Sequence, residues 1–386
     1  MNFFFTNQQK KLGTYVSQIL LLFFIINSSA HADNLFNPVL NPQINARSRG
    51  MGSTSISYVK GVDALFVNAA ALARVEGYSL KLAEGHIGVS QNSSRLSDQN
   101  KTDSTPVAGS DLQKLYGQTF YAEGSGQSGM VFPRFGFGVY SNNVVTETFN
   151  NPVFPTFNVN FLSEYGYLIG ASVPIGENIS FGVTGRHVQR WSGQKDILVT
   201  DLIGTTDKKL IESSLNDKGV GEAMDLSFLA NIPDQNLSLA IVWKDVGDTA
   251  FKTTSGNGPD RQQENLILGI SKTSKAKFVD LTYAFEYDHI RQNDILAKKM
   301  HLGTEISMGI FDLRVGLNQG YFTYGAGVDL WLFNIDAAAY SEELGTSLGQ
   351  NRSDRYQASI SVNLDFDQAF KLKNQMGKKR RLIQRR

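Results

Sequence analysis

Tyr356-Gln-Ala-Ser-Ile-Ser-Val-Asn-Leu-Asp-Phe366 alternates without a break. Tyr356, Ala358, Ile360, Val362, Leu364 and Phe366 fall on one face; Gln357, Ser359, Ser361, Asn363 and Asp365 fall on the other. Successive strand side chains point to opposite sides, so a period of two describes a strand with one apolar and one polar face. The same period recurs upstream. Phe311, Leu313, Val315 and Leu317 oppose Asp312, Arg314, Gly316 and Asn318. Val279, Leu281, Tyr283, Phe285 and Tyr287 oppose Asp280, Thr282, Ala284, Glu286 and Asp288. Segments 237–244 and 224–232 alternate likewise, with Lys244 and Asp225 on the polar faces.

Alternation of this kind serves a water-facing sandwich or a membrane barrel, and spacing separates the two. Strands of about ten residues suit a tilted membrane span better than the shorter strands of soluble sheets. Connections at 175–178, 233–236, 274–277 and 309–310 are short, whereas 191–220, 248–263, 289–298 and 343–354 are long. Short turns on one side and long loops on the other are the habit of outer-membrane barrels. Tyr167, Trp191, Trp243, Trp331 and Tyr340 lie near strand ends, where aromatic girdles form. Twelve or thirteen strands are countable between residues 77 and 366, with 91–130 open to strand, helix or loop. A barrel with both ends on one side needs an even number, which favours fourteen. The expectation is an all-β, transmembrane antiparallel β-barrel over 76–366, closed by the aromatic Phe366.

The chain ends differ from this body. Lys10 and Lys11 precede the apolar run Ile19-Leu-Leu-Leu-Phe-Phe-Ile-Ile26, too short to span a bilayer, and Ala30-His31-Ala32 supplies small residues at a cleavage site. Residues 1–32 therefore read as a signal peptide cleaved near Ala32, with an N-terminal anchor helix as the alternative. Residues 367–386 carry a net +7 and the body 33–366 a net −8, inside an overall charge of +1. That basic tail cannot be a further lipid-facing strand, because Lys378-Lys-Arg-Arg381 would lie in hydrocarbon. It reads as a disordered periplasmic extension, or as a grip on the cell wall or an acidic periplasmic partner. The localisation expected is the outer membrane of a Gram-negative bacterium.

Composition narrows the function. Charged residues are 19% of the 386-residue chain and aromatic residues 11%. With no basic surplus in the body, nucleic acid is not expected as a partner. Zero Cys excludes disulfides, thiolate metal sites and cysteine nucleophiles. His86, His187, His289 and His301 show no metal-site spacing, so no cofactor, metal or enzyme activity is expected. Gly124-Ser-Gly-Gln-Ser-Gly129 matches G-x-G-x-x-G but precedes a strand-like segment, so it reads as a loop. Residues 33–75 lack alternation. The small, Gly-rich composition of 46–75 and the helix-like stretch at 63–73 fit a plug for a lumen too wide for strand side chains to fill.

Arg47-Ser-Arg-Gly-Met-Gly52, Asp63-Ala-Leu-Phe and Asn68-Ala-Ala-Ala-Leu72 resemble the N-terminal signature of FadL/PorV-type outer-membrane proteins. Weaker pieces follow in the family's order, among them Trp243-Lys-Asp-Val-Gly247, His301-Leu-Gly-Thr-Glu305 and Tyr324-Gly-Ala-Gly-Val328. The resemblance implies a fourteen-stranded barrel with an N-terminal helical plug, whose motif residues here are Gly50, Met51, Gly52, Asp63, Asn68 and Leu72. It also implies passage of hydrophobic molecules such as long-chain fatty acids, or an accessory role in protein export. Ala69 and Ala71 replace the family's Pro and Gly, which predicts a less kinked, more helical backbone there. Inward charges are expected at Lys244, Asp280, Glu286, Glu305, Asp312, Arg314, Asp329 and Asp336, an acidic wall facing Arg47 and Arg49. The partners expected are outer-membrane lipid and a hydrophobic ligand.

Overall fold

The computed structural model describes residues 45–93, 116–150, 156–198, 216–330, 332–367 and 372–373. The signal segment, 94–115 and nearly all of the basic tail lie outside them. The strands are β1 (Tyr78–Ser90), β2 (Thr119–Phe132), β3 (Phe135–Asn150), β4 (Thr156–Pro174), β5 (Ile179–Leu198), β6 (Asp217–Ile232), β7 (Leu237–Lys244) and β8 (Phe251–Ser255). They continue as β9 (Asn265–Lys275), β10 (Asp280–Tyr287), β11 (Met300–Met308), β12 (Phe311–Asn318), β13 (Tyr321–Leu330), β14 (Phe333–Glu343), β15 (Arg352–Phe366) and β16 (Leu372–Lys373).

Fourteen of these close into an antiparallel barrel. Neighbours in sequence pair around the wall, β7 pairs β9, and β15 returns to β1 with Tyr78 opposite Phe366 and Ser90 opposite Arg355. Closure leaves no barrel edge with unpaired backbone groups, which is what hydrocarbon demands. The alternation read from sequence sets the two faces. Tyr356, Ile360, Leu313, Val315 and Tyr283 are exposed on the outside, while Arg355, Gln357, Ser359, Arg314 and Glu286 are buried inside. Short turns and both ends of the barrel sequence lie on one side. The wall is uneven in height: β4 and β5 run 19 and 20 residues, β7 and β10 only 8 each.

Several expectations need correction. Residues 124–129 are not a loop but the middle of β2, laddered on both sides to β1 and β3. Ser125 and Gln127 of this segment turn inward to Asn142 and Glu84, so period two persists beneath the glycines. The long connection 248–263 contains β8, which lengthens the sheet beside β6. Tyr340 is no girdle residue. It is 2% exposed, inside the lumen beneath the Arg49 guanidinium. Leu372–Lys373 pairs antiparallel with Asp365 and Phe366 as β16.

The stretch 63–73 is not one helix. An α-helix, Asp63–Val67, stops at Asn68 (φ −152°, ψ 93°), and a 3-10 helix, Ala69–Arg74, follows. The Asn68 side chain accepts from Ala70 N at 3.1 Å and donates to Ile56 O at 2.7 Å. This local bonding competes with helix continuation, so alanine at 69 and 71 does not straighten the kink.

Candidate functional site

The core of the molecule is the segment 45–75 packed inside the barrel. It begins with helix α1 (Ala46–Gly50), capped by the Asn45 carboxamide oxygen on Ser48 N at 3.0 Å. It continues through a Gly50-Met51-Gly52 turn to α2 (Asp63–Val67) and the 3-10 helix. Contacts reach the wall on opposite sides. Arg47 meets β11, Arg49 meets β14, Asp63 meets β1 and Ala70 meets β5 and β6.

Glycines on the wall make the seat. A Cβ at Gly316 would stand 2.5 Å from Gly52 N, at Gly325 2.9 Å from Gly50 Cα, and at Gly269 2.6 Å from an Ile56 side-chain carbon. At Gly170 it would stand 2.7 Å from Leu65 and at Gly138 2.8 Å from Phe66; at Gly182 and Gly303 it would collide with the backbone of Ala70 and Met51. The plug's backbone thus lies directly on the wall's backbone. Gly52 takes a left-handed conformation (φ +67°), as a glycine does readily. One hydroxyl holds this turn: Thr323 donates to Gly50 O and accepts from Gly52 N, both at 3.0 Å. His301 Nδ1 donates to Gly52 O at 3.0 Å.

Two kinds of surface surround the plug. Toward β11–β15 the seat is charged. Arg47 grips Glu305 at 2.6 and 2.8 Å, and Glu305 also accepts from Arg314 at 2.7 Å. Arg314 reaches Asp336 at 2.6 Å and Asp312 at 3.0 Å. The Glu305 carboxylate holds the Arg47 guanidinium well above its ordinary pKa, so this tie stays ionised. Arg49 pairs with Glu342 at 2.8 Å, and Glu342 is shared with the buried Arg355. Toward β2–β9 the seat is apolar, apart from Arg74, which donates to Asn231 and Ser238. Val62, Leu65, Phe66 and Leu72 pack with Val131, Leu168, Leu229, Val242 and Ile267 in one buried cluster.

Glu286 on β10 joins these halves. Its Oε1 accepts from Ser55 N at 2.5 Å and Ile56 N at 2.7 Å. Glu286→Leu strands the buried Ile56 amide, at about 1–3 kcal/mol, and the half-buried Ser55 amide, whereas Glu286→Gln keeps an acceptor. Chemical unfolding of the two variants in detergent should therefore separate them, leucine being the less stable; equal stability would contradict this cap.

Among the other sequence-derived residues, Asp63 accepts from Lys81 at 2.5 Å, and Asn68 and Leu72 are fully buried in the plug. Lys244, Asp280 and Asp329 are half-buried on β7, β10 and β13. Phe366 ends the closing ladder opposite Tyr78. Sequence reasoning missed Lys81 and Glu84, an ion pair buried at the plug, because a bulge between Lys81 and Ala83 breaks the period. It also missed Arg186 with Asp225 and Asp245, and Arg190 with Glu164. Glu342 and Arg355 were readable, since they continue the inward faces of Asp336–Ala338–Tyr340 and of Gln357–Ser359. No group of three or more His, Asp or Glu among the described residues could hold a metal.

No family model and no curated protein matches the chain. Solved structures do. The chain is similar to the CymD monoaromatic hydrocarbon channel (12% identity, 86% of this chain and 99% of that one, TM-score 0.52). It is also similar to a deltaS2 mutant of the TodX monoaromatic hydrocarbon channel (14% identity, 83% and 98%, TM-score 0.50). A Pseudomonas aeruginosa FadL homologue aligns more distantly (10% identity, 83% and 98%, TM-score 0.42). The chain thus has the FadL-type barrel fold, fourteen antiparallel strands closed around a short N-terminal helical segment.

Proposed function

We propose that the protein is an outer-membrane channel for hydrophobic small molecules, with the segment 45–75 as its gate. The observation that carries this reading is the two-sided seat. Against β3–β5 the plug's contacts are apolar or neutral: Phe66 at Gly138, Leu65 at Gly170, Ala70 at Gly182. A hydrophobic molecule can take the place of such contacts without stranding a charge. Parting the plug from β11–β14 would separate buried ion pairs, at several kcal/mol. The gate therefore hinges on its charged side and yields on its apolar side. Long-chain fatty acids, suggested by the sequence motif, and monoaromatic hydrocarbons, named for CymD and TodX, are the two ligand classes to compare.

The placement proposed with this function is the outer membrane of a Gram-negative bacterium, after signal cleavage near Ala32. Residues 33–75 then form the plug, 76–366 the barrel, and 367–386 a basic periplasmic tail facing the cell wall or an acidic partner. The second reading, a non-transporting structural or export-accessory barrel, is favoured by the charged half of the seat, which would seal the lumen.

A reversible lock decides between them. The chain has no cysteine, and a Cβ at Gly129 would stand 3.1 Å from Val62 Cγ1. Cells carrying Val62→Cys/Gly129→Cys should take up labelled oleate or a labelled monoaromatic hydrocarbon faster than cells without the protein only when a reductant is present. Equal uptake with and without the wild-type protein would favour the sealed barrel. Uptake unaffected by the oxidised lock would remove the plug as gate.

A further inference from the structure

The outer face of β7 and β9–β13 carries an apolar trough of about 410 Å³. Its floor is one rung of the ladder in which Ser271, Ala284, Gly303 and Gly316 succeed one another across four strands. The next outward-facing rungs form its banks, Phe285 and Leu302 on one side, Tyr283 and Val315 on the other. With neighbouring strands about 4.8 Å apart, a trough crossing six of them is about 24 Å long. The wall is thin here, since Met51 and Gly52 press on Gly303 and Gly316 from inside.

One charge stands at its edge. Lys272 is exposed, opposite Leu237 and Tyr283 in the ladder, three residues from the short-turn end of β9. It forms no ion pair or hydrogen bond among the described residues. A cation on the lipid-facing side of a barrel is unfavourable at depth and tolerable close to the interface, where phosphate can meet it.

We propose that this trough holds an acyl chain of an anionic phospholipid from the leaflet on the short-turn side, with the phosphate on Lys272. The proposal rests on the membrane placement given above but not on transport. Four features support it: an elongated apolar cavity, a floor of small residues, an unpaired cation at its end, and a lipid-facing position.

The test uses the full-length folded protein, delipidated in detergent and incubated with phosphatidylglycerol and phosphatidylcholine of identical chains. Native mass spectrometry then counts the retained lipids, and heat-modifiable mobility confirms that each variant is folded. The wild type should prefer phosphatidylglycerol by about fivefold, the effect of one lysine near an anionic headgroup. Lys272→Gln should abolish the preference while leaving phosphatidylcholine retention unchanged. Thr304→Trp, which fills the trough, should lower retention of both lipids. An unchanged preference in Lys272→Gln, or unchanged retention in Thr304→Trp, would overturn the site. Failure of the uptake assay would leave this readout intact, because lipid retention requires only the folded barrel.

Discussion

Arg314→Met lowers the unfolding free energy of the barrel by about 3–5 kcal/mol, the cost of breaking a buried ionic cluster on one side. The Arg314 side chain is 1% exposed and holds three carboxylates, from Glu305, Asp312 and Asp336. Methionine fills much of the volume but leaves Asp336 and Asp312 without their cation, and Glu305 with Arg47 alone. The measurement is urea unfolding in detergent, followed by the loss of heat-modifiable mobility. Adding Asp336→Asn should restore part of the loss, because the penalty is an uncompensated charge and not a cavity. A single-variant cost under about 1 kcal/mol, the worth of an exposed pair, would mean that the lumen solvates these groups.

Gly182→Val unseats the plug. The added Cβ would overlap the Ala70 amide, backbone against backbone, with the wall strand held by ladders on both sides. Flexible side chains cannot absorb such a clash, so the cost belongs at or above the upper end of the usual 1–3 kcal/mol for overpacking. The expected outcome is a folded barrel leaky to small hydrophilic solutes, as deletion of 46–75 would also produce. Gly185 on the same strand is the control, since a Cβ there meets nothing within 4 Å. Gly185→Val should leave permeability and stability unchanged. If the two variants behave alike, the glycine seat does not position the plug.

The barrel was legible because one rule, two faces at period two, acts on every strand independently. At 356–366 and 311–318 each apolar residue lies outward and each polar one inward. Legibility failed where that rule is suspended. At β1 a bulge moves Lys81 and Glu84 to the same side, three positions apart, so alternation could not pair them. At 124–129 the outward positions are Gly124, Gly126 and Ser128, and without a large apolar residue the strand reads as a turn. The plug's presence was readable from composition and motif, but its seat was not. Gly182, Gly303 and Gly316 look like ordinary strand glycines until the plug backbone is laid on them, and that contact joins residues far apart in sequence. Tyr340 shows the converse error: an aromatic near a strand end was read by type, while its parity with Asp336 placed it inside.

The seam between β1 and β15 has a kinetic consequence. Every other rung joins strands that are neighbours in the chain, apart from the step over β8, whereas this one joins the two ends of the barrel sequence. Closing so long a loop carries the largest entropic cost, so the seam is the last pairing to form. The enclosed segment immediately precedes β1, yet it also rests on β5, β11 and β14. It reaches all of them while the sheet is still open and curling. The nascent wall thus wraps its own N-terminal segment, whose ties to distant strands help to set the curvature.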